Sequence, residues 1–231
     1  MSPAPYYQDA SVTLYHGDAL MVLPQLTSTS AGVVILDPPY SFESISVRGR
    51  DDGAAGTSGA PTMLFHQTLV ETQRILVDGG IAPILCQWRR LPDVSYLAAL
   101  AGLRLSACCA WVRNRVGTGG LFRSSWDPIL VGSKGSPTLR DKAAIPNVLR
   151  VEPLTGQEHP YAKPPSLWTP FISRVPHGVT VVDPFAGMGA SGVAAKAAGH
   201  SWIGVEVSER FCELIAQRLD QAVLDFGEVP A

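Results

Sequence analysis

Two segments of this 231-residue chain place a carboxylate where an apolar run meets a constrained turn. In the first, Val33-Val34-Ile35-Leu36 runs into Asp37-Pro38-Pro39-Tyr40. The prolines restrict the backbone, and so fix the direction of the Asp37 carboxylate and of a nearby backbone carbonyl. Two acceptors aimed in this way could each take one N–H of an amine and localise its lone pair toward an electrophile, with Tyr40 as a stacking surface for a ring. Taken alone, Asp-Pro-Pro is also an ordinary rigid turn after a strand. In the second segment, Val181-Val182 runs into Asp183-Pro184-Phe185-Ala186-Gly187-Met188-Gly189. Here the glycines permit a tight turn and close backbone approach, and a following helix would direct its amide-rich end at a ligand. Glu206 ends the next apolar run, the position from which α/β sites hold ribose hydroxyls. Two carboxylates and two glycines suit a nucleoside. A dinucleotide is less apt because the third glycine is out of register, and no Gly-Lys-Ser/Thr follows for nucleotide phosphates.

Both carboxylates need buried parallel strands to carry them, and the hydrophobic pattern supplies these. Strands are expected at 12–16, 33–36, 81–85, 179–182 and 202–205, with a hairpin from 103–112 and 127–131. Helices are expected at 19–26, 63–77 with Gly79-Gly80 as its stop, 91–100 ended by Gly102, 166–175 with a kink at Pro170, 190–198 and 210–226. Residues 41–62 are rich in Gly, Ser, Ala and charge and read as a mobile loop. Residues 135–158 show no clear periodicity.

Composition sets looser limits. With 46% apolar and 16% charged residues, the chain is expected to form one domain over 1–231. No run reaches about 18 apolar residues, and no charged-then-apolar leader opens the chain, so a membrane association is not expected and a cytoplasmic location is. Cys86, Cys108, Cys109 and Cys212 lack metal-ligand spacing and read as buried reduced thiols; no metal site is expected. The formal charge of -2 gives no global polyanion signature. Local positive charge does exist: residues 100–150 hold eight basic residues (Arg104, Arg113, Arg115, Arg123, Lys134, Arg140, Lys142, Arg150) against Asp127 and Asp141. With Arg48 and Arg50 in the glycine-rich loop, they could form a phosphate-binding surface, the alternative being a solvated face.

The two motifs together, and their order, resemble the β-class DNA amino-methyltransferases, in which a DPPY-type tetrad precedes an FxGxG motif. The resemblance covers almost the whole chain. It extends to Tyr15-His16-Gly17-Asp18, to the hairpin pieces Trp111-Val112-Arg113-Asn114, Phe122-Arg123 and Ile129 to Gly135, and to His159-Pro160-Tyr161-Ala162-Lys163-Pro164, which is similar to an HPxxKP segment. It implies a circularly permuted, Rossmann-like S-adenosylmethionine-dependent fold, α/β in class, with a mostly parallel seven-stranded sheet and helices on both faces. It further implies methyl transfer from S-adenosyl-L-methionine to the N6 amine of a flipped adenine in double-stranded DNA. Asp37, Pro38, Pro39 and Tyr40 would be catalytic. Asp18, Asp37, His159, Lys163, Asp183, Phe185, Gly187, Gly189 and Glu206 would surround the cofactor, with Asp18 toward its adenine and His159 and Lys163 near its methionine portion. Arg48, Arg50, Arg113, Arg115 and Arg123 would contact DNA.

Some positions depart from the family pattern. Tyr161-Ala162 replaces the commoner Thr-Gln, and Trp126-Asp127 stands where His-Glu is frequent. The target-recognition insertion, 135–158, is short. Cytosine N4 is the alternative acceptor. An RNA or protein amide methyltransferase would share the proline-rich tetrad but normally carries the cofactor motif first, and a non-enzymatic DNA-binding module would have lost the Asp or the glycines. The recognition sequence, a homodimer and a restriction-modification partner are left open.

Overall fold

The computed structural model describes residues 4–38, 60–113, 121–141, 144–154 and 162–221. Within them the strands are β1 (Tyr7–Gln8), β2 (Val12–His16), β3 (Ala31–Val34), β4 (Leu76–Leu85), β5 (Arg104–Val112), β6 (Trp126–Ser133), β7 (Val148–Arg150), β8 (Thr180–Asp183) and β9 (Ser201–Glu206). The helices are α1 (Ala19–Val22), α2 (Ala60–Ile75), α3 (Leu91–Leu100), α4 (Pro165–Ile172), α5 (Ala190–Ala197) and α6 (Glu209–Gln221).

One mixed sheet of nine strands runs β1-β2-β9-β8-β3-β4-β6-β5-β7. The expected seven strands form its centre, and two short edge strands, β1 and β7, extend it. β7 lies inside the stretch that showed no periodicity; its three residues are too few to register a period. The neighbours from β2 through β9, β8 and β3 to β4 are all parallel, while β6 runs antiparallel to both β4 and β5. Chain order therefore enters the sheet through β2 and β3 and completes it with β8 and β9, the permuted arrangement implied by the motif order.

Each face carries its own core. On one, α4, α5 and α6 bring Leu167, Trp168, Phe171, Ala194, Ile215 and Leu219 against Val33, Ile35 and Val181. On the other, α1, α2 and α3 bring Ala19, Leu69, Val94 and Ala98 against Val34, Leu36 and Val182. Val33 to Leu36 are fully buried on both sides, which is why that run is continuously apolar and not alternating. Burial of this kind stabilises by about 25 cal/mol per Å² of apolar surface, and it holds the sheet centre that carries the site.

Two boundaries around Gly79-Gly80 and the preceding helix differ from the sequence reading. Helix α2 begins at Ala60 and so takes in the end of the stretch read as a loop. Strand β4 starts immediately after it at Leu76, with Gly79-Gly80 inside the strand. Gly79 has φ +80°, and a Cβ there would collide with Thr138, so these glycines admit a crossing segment and do not end the helix. The thiols also divide: Cys86 and Cys212 are buried as expected, but Cys108 is exposed and Cys109 half-buried, because β7 covers β5 only from Ala110 onward. All four are free thiols.

Candidate active site

Asp37 lies one step beyond a tightly clamped strand end. The Ile35 amide donates to Val182 O of β8 at 2.8 Å, Leu36 donates to Pro83 O at 2.9 Å, and Leu85 of β4 donates back to Leu36 O at 2.8 Å. The chain cannot shift without breaking bonds to both neighbouring strands, so Asp37 and the buried Pro38 are presented from a fixed base. Against Asp37 comes Lys163, from the segment just before α4. Its Nζ lies 2.9 Å from Asp37 Oδ2 and 3.2 Å from Oδ1. The lysine side chain is only 8% exposed and the aspartate 21%, so the pair is mostly shielded and held more firmly than a surface ion pair. Pro39, Tyr40, Arg48, Arg50, Arg115 and His159 lie outside the described residues.

The glycine turn sits on the adjacent strand, at the end of β8. Asp183 is buried beneath it. One oxygen accepts the Phe185 amide at 3.0 Å and the other accepts the Ser191 hydroxyl in a very short bond; Ser191 Oγ in turn accepts the Trp202 indole N–H at 3.0 Å. Complete burial pushes the Asp183 carboxyl up to about 7, against the lowering effect of these donors. Asp183 thus braces the turn from below. Glu206, at the end of β9, faces it from the side: Oε2 accepts the Gly187 amide at 2.8 Å and Oε1 the Ser208 amide at 2.9 Å. Burial raises its pKa, and the amides pull the other way.

The two glycines have different tasks. Both have left-handed φ, +54° at Gly187 and +71° at Gly189. A Cβ on Gly189 would come within 3.1 Å of Ile215 on α6, so this glycine is required by packing. A Cβ on Gly187 would meet nothing closer than Phe185 O at 3.9 Å, so the space beside this glycine is open. Arg218 of α6, not anticipated from sequence, donates to Met188 O at 2.8 Å and holds the turn from behind. Asp18 caps α1 through the Leu20 amide at 2.9 Å, and the adjoining Gly17 amide donates to Glu206 O at 2.9 Å. Asp18, Glu206 and Gly187 therefore line neighbouring ends of β2, β9 and β8, a set that fits the ribose and base of a nucleoside. Lys163, expected near a methionine portion, is joined to Asp37.

Arg113 turns inward. Its Nη1 pairs with Asp127 Oδ2 at 2.9 Å, and its guanidinium carbon lies 5.3 Å from the centroid of the Trp111 ring. The indole N–H of Trp111 donates to Val151 O at 2.7 Å. Asp127 opposes Trp111 across the β5–β6 ladder at the same end of the sheet as Asp37. Burial raises the Asp127 pKa, Arg113 and Lys163 lower it, and the charge of Asp37 raises it again. In the sequence this residue was only a departure from a family pattern.

Among the described residues, the basic side chains of 100–150 are divided between the two ends of the sheet. Because β6 runs back against β4, Arg104 and Lys134 stand at the edge remote from Asp37; Arg104 donates to Ser136 Oγ and Lys134 to Leu76 O. Arg140 is beside them, with its amide on Arg174 O and its guanidinium on His177. Arg123 and Arg150, both exposed, remain near the Asp37 end.

Residues 118–218 match the model of a family described as DNA methylase. The DNA adenine methyltransferase YhdJ of Escherichia coli K12 is 24% identical over 256 residues, covering 91% of this chain and 83% of its own. Among solved structures, the M1.HpyAVI complex with S-adenosylmethionine superposes with a TM-score of 0.71 at 18% identity, over 90% of this chain and 99% of that one. The cytosine-N4-specific PvuII DNA methyltransferase gives 0.74 at 14% identity, over 99% and 91%. No described helix is long and apolar enough to cross a membrane. Over these spans the chain is similar to DNA methyltransferases of the adenine and cytosine-N4 types, and it shares their fold.

Proposed function

We propose that the chain methylates the N6 amine of adenine in double-stranded DNA, with S-adenosyl-L-methionine as the methyl donor. The observation that carries this reading is the placement of Asp37, clamped at the end of β3, beside the Gly187–Glu206 cradle at the end of β8 and β9. The cofactor supplies an electrophilic methyl group. The protein's part is to hold a weakly nucleophilic amine against it. Asp37 and the Pro38 carbonyl would each accept one N–H, which draws the nitrogen lone pair out of conjugation and aims it at the cradle. Glu206 would accept ribose hydroxyls while retaining its bonds to the Gly187 and Ser208 amides, since each carboxylate oxygen has a second lone pair. A base in a duplex cannot reach this edge, so the target must be unstacked and rotated out of the helix.

Adenine is favoured over cytosine because Asp, not Ser, opens the tetrad, and YhdJ carries an adenine name. The test is nucleoside analysis of duplex DNA incubated with methyl-labelled S-adenosylmethionine. Label in N6-methyladenine supports the reading; label in N4-methylcytosine keeps the family and overturns the choice of base. Label in RNA or protein but not in DNA overturns the substrate.

A further inference from the structure

Three of the five tryptophans, Trp111, Trp168 and Trp202, are buried in the core at 1–3% exposure. The other two, Trp88 and Trp126, are 50% and 40% exposed, and the sheet brings both to the edge that carries Asp37. In the β4–β6 ladder, Leu85 pairs with Ile129 as the last pair before that edge; Trp88 follows Leu85 by three residues and Trp126 precedes Ile129 by three. The turn that carries Trp88 is held at its base. The Leu85 amide donates to Leu36 O, next to Asp37, at 2.8 Å, and the Cys86 amide donates to Pro128 O at 3.1 Å. The Arg90 amide donates to Gln87 O at 2.9 Å, and the Arg90 side chain pairs with Asp93 at 3.0 Å. Trp88 therefore stands one strand over from Asp37, on the side away from the glycine turn, because β4 and β8 flank β3 on opposite sides. The guanidinium of Arg89 lies over the Trp88 ring, 5.0 Å from its centroid, and among the described residues it has no carboxylate partner.

An indole that served packing alone would be turned into the core, as the other three are. A half-exposed indole with a cation beside it offers a face on which any base can stack and a charge for the adjoining phosphate. Rotating a base out of a duplex breaks its stacking on both neighbours, so bases are left open next to the acceptor site. We propose that Trp88 and Arg89, with Trp126 at the same edge, form a binding step for the DNA strand next to the acceptor site: the indoles stack on bases left open when the target rotates out, and Arg89 contacts the adjoining phosphate. The inference rests on the methyltransferase reading above. It places a DNA contact on the turn after β4, outside the basic stretch of 100–150. Arg90 is already neutralised by Asp93, so Arg89 is the charge this turn offers to a phosphate.

The experiment compares Trp88→Ala, Trp88→Phe and Arg89→Gln with wild type in DNA KM, in the salt dependence of duplex binding and in S-adenosylmethionine affinity by calorimetry, with thermal unfolding measured on each. Trp88→Ala should raise the DNA KM about 5- to 100-fold and Phe should restore most of the loss, with cofactor Kd within roughly threefold of wild type. Arg89→Gln should raise the DNA KM and reduce the slope of log K against log salt by about one. Duplex DNA should quench the tryptophan emission of wild type and quench that of Trp88→Phe less. A packing role would not move that readout, and it decides the matter even if Trp88→Ala does not fold. A DNA KM within about twofold of wild type in folded Trp88→Ala, a loss that Phe does not relieve, or unchanged quenching in Trp88→Phe overturns the inference. Failure of the underlying reading looks different: wild type itself would then transfer no methyl to DNA.

Discussion

Lys163 Nζ contacts both carboxylate oxygens of Asp37, at 2.9 and 3.2 Å, across 126 positions of sequence. The contact joins the end of β3 to the segment that leads into α4, and it places a cation where the proposed acceptor amine would compete for the same oxygens. Lys163→Met keeps the bulk of the stem and removes the charge. Methyl transfer should fall roughly 100-fold, with stability lowered by about 1–3 kcal/mol because Asp37 loses its partner in a shielded site. Kinetics and denaturation of the folded variant check both; unaltered kcat would show that the pair is only structural.

Gly187 and Gly189 should respond differently to the same change. Gly187→Val puts a side chain into the open space beside this glycine, so affinity for S-adenosylmethionine should fall at least about 10-fold, while the backbone cost of left-handed φ remains about 1–2 kcal/mol. Gly189→Val adds a collision with Ile215 and should lower the unfolding temperature more. Glu206→Ala should also weaken cofactor binding, since it removes the ribose acceptor and releases the Gly187 amide. Calorimetry and thermal unfolding on the three variants distinguish the roles; unchanged affinity in Gly187→Val and Glu206→Ala would contradict the assignment of the cradle.

Asp183 gives the fold a pH dependence of known sign. Its carboxyl is raised from 3.8 to about 7 in the folded protein, so between these values the native state binds the proton more tightly than the unfolded chain. Its contribution therefore weakens as pH rises from about 4 to about 7 and is level above that. Asp183→Asn removes the titration. The stability of wild type relative to this variant, from urea unfolding at several pH values, should decrease across that window; a difference independent of pH would show that Asp183 is ionised throughout.

Phosphate contact should be confined to the Asp37 edge. Arg123→Glu should raise the DNA KM about 3- to 10-fold and reduce the salt dependence of binding, as should charge reversal at Arg48 and Arg50, whose place rests on sequence alone. Arg104→Glu, at the remote edge, should leave KM within about twofold. Equal effects at Arg104 and Arg123 would mean that the duplex does not lie across the edge that carries Asp37.

The strands that carry the carboxylates were legible because burial on both faces leaves a continuous apolar run, as in Val33 to Leu36, and the turns because Pro and Gly have few other uses at such points. The permuted order followed from the motifs. What escaped depended on tertiary pairing. Lys163 reaches Asp37 and Arg113 reaches Asp127 only after the sheet has brought distant segments together. Arg218 looks in sequence like any solvated helix cation until α6 packs behind Met188. The division of the described basic residues of 100–150 was hidden for the complementary reason: an antiparallel strand carries nearby residues to opposite ends of the sheet.

The most direct measurement is paired: S-adenosylmethionine affinity by calorimetry and methyl transfer to duplex DNA, both on folded Asp37→Ala. The proposed cofactor cradle is built on β8 and β9, and the proposed acceptor site on β3, so affinity should stay within about threefold of wild type while transfer falls by at least about 1000-fold. Transfer within a few-fold of wild type would contradict the role given to Asp37, and with it the separation of acceptor and cofactor sites.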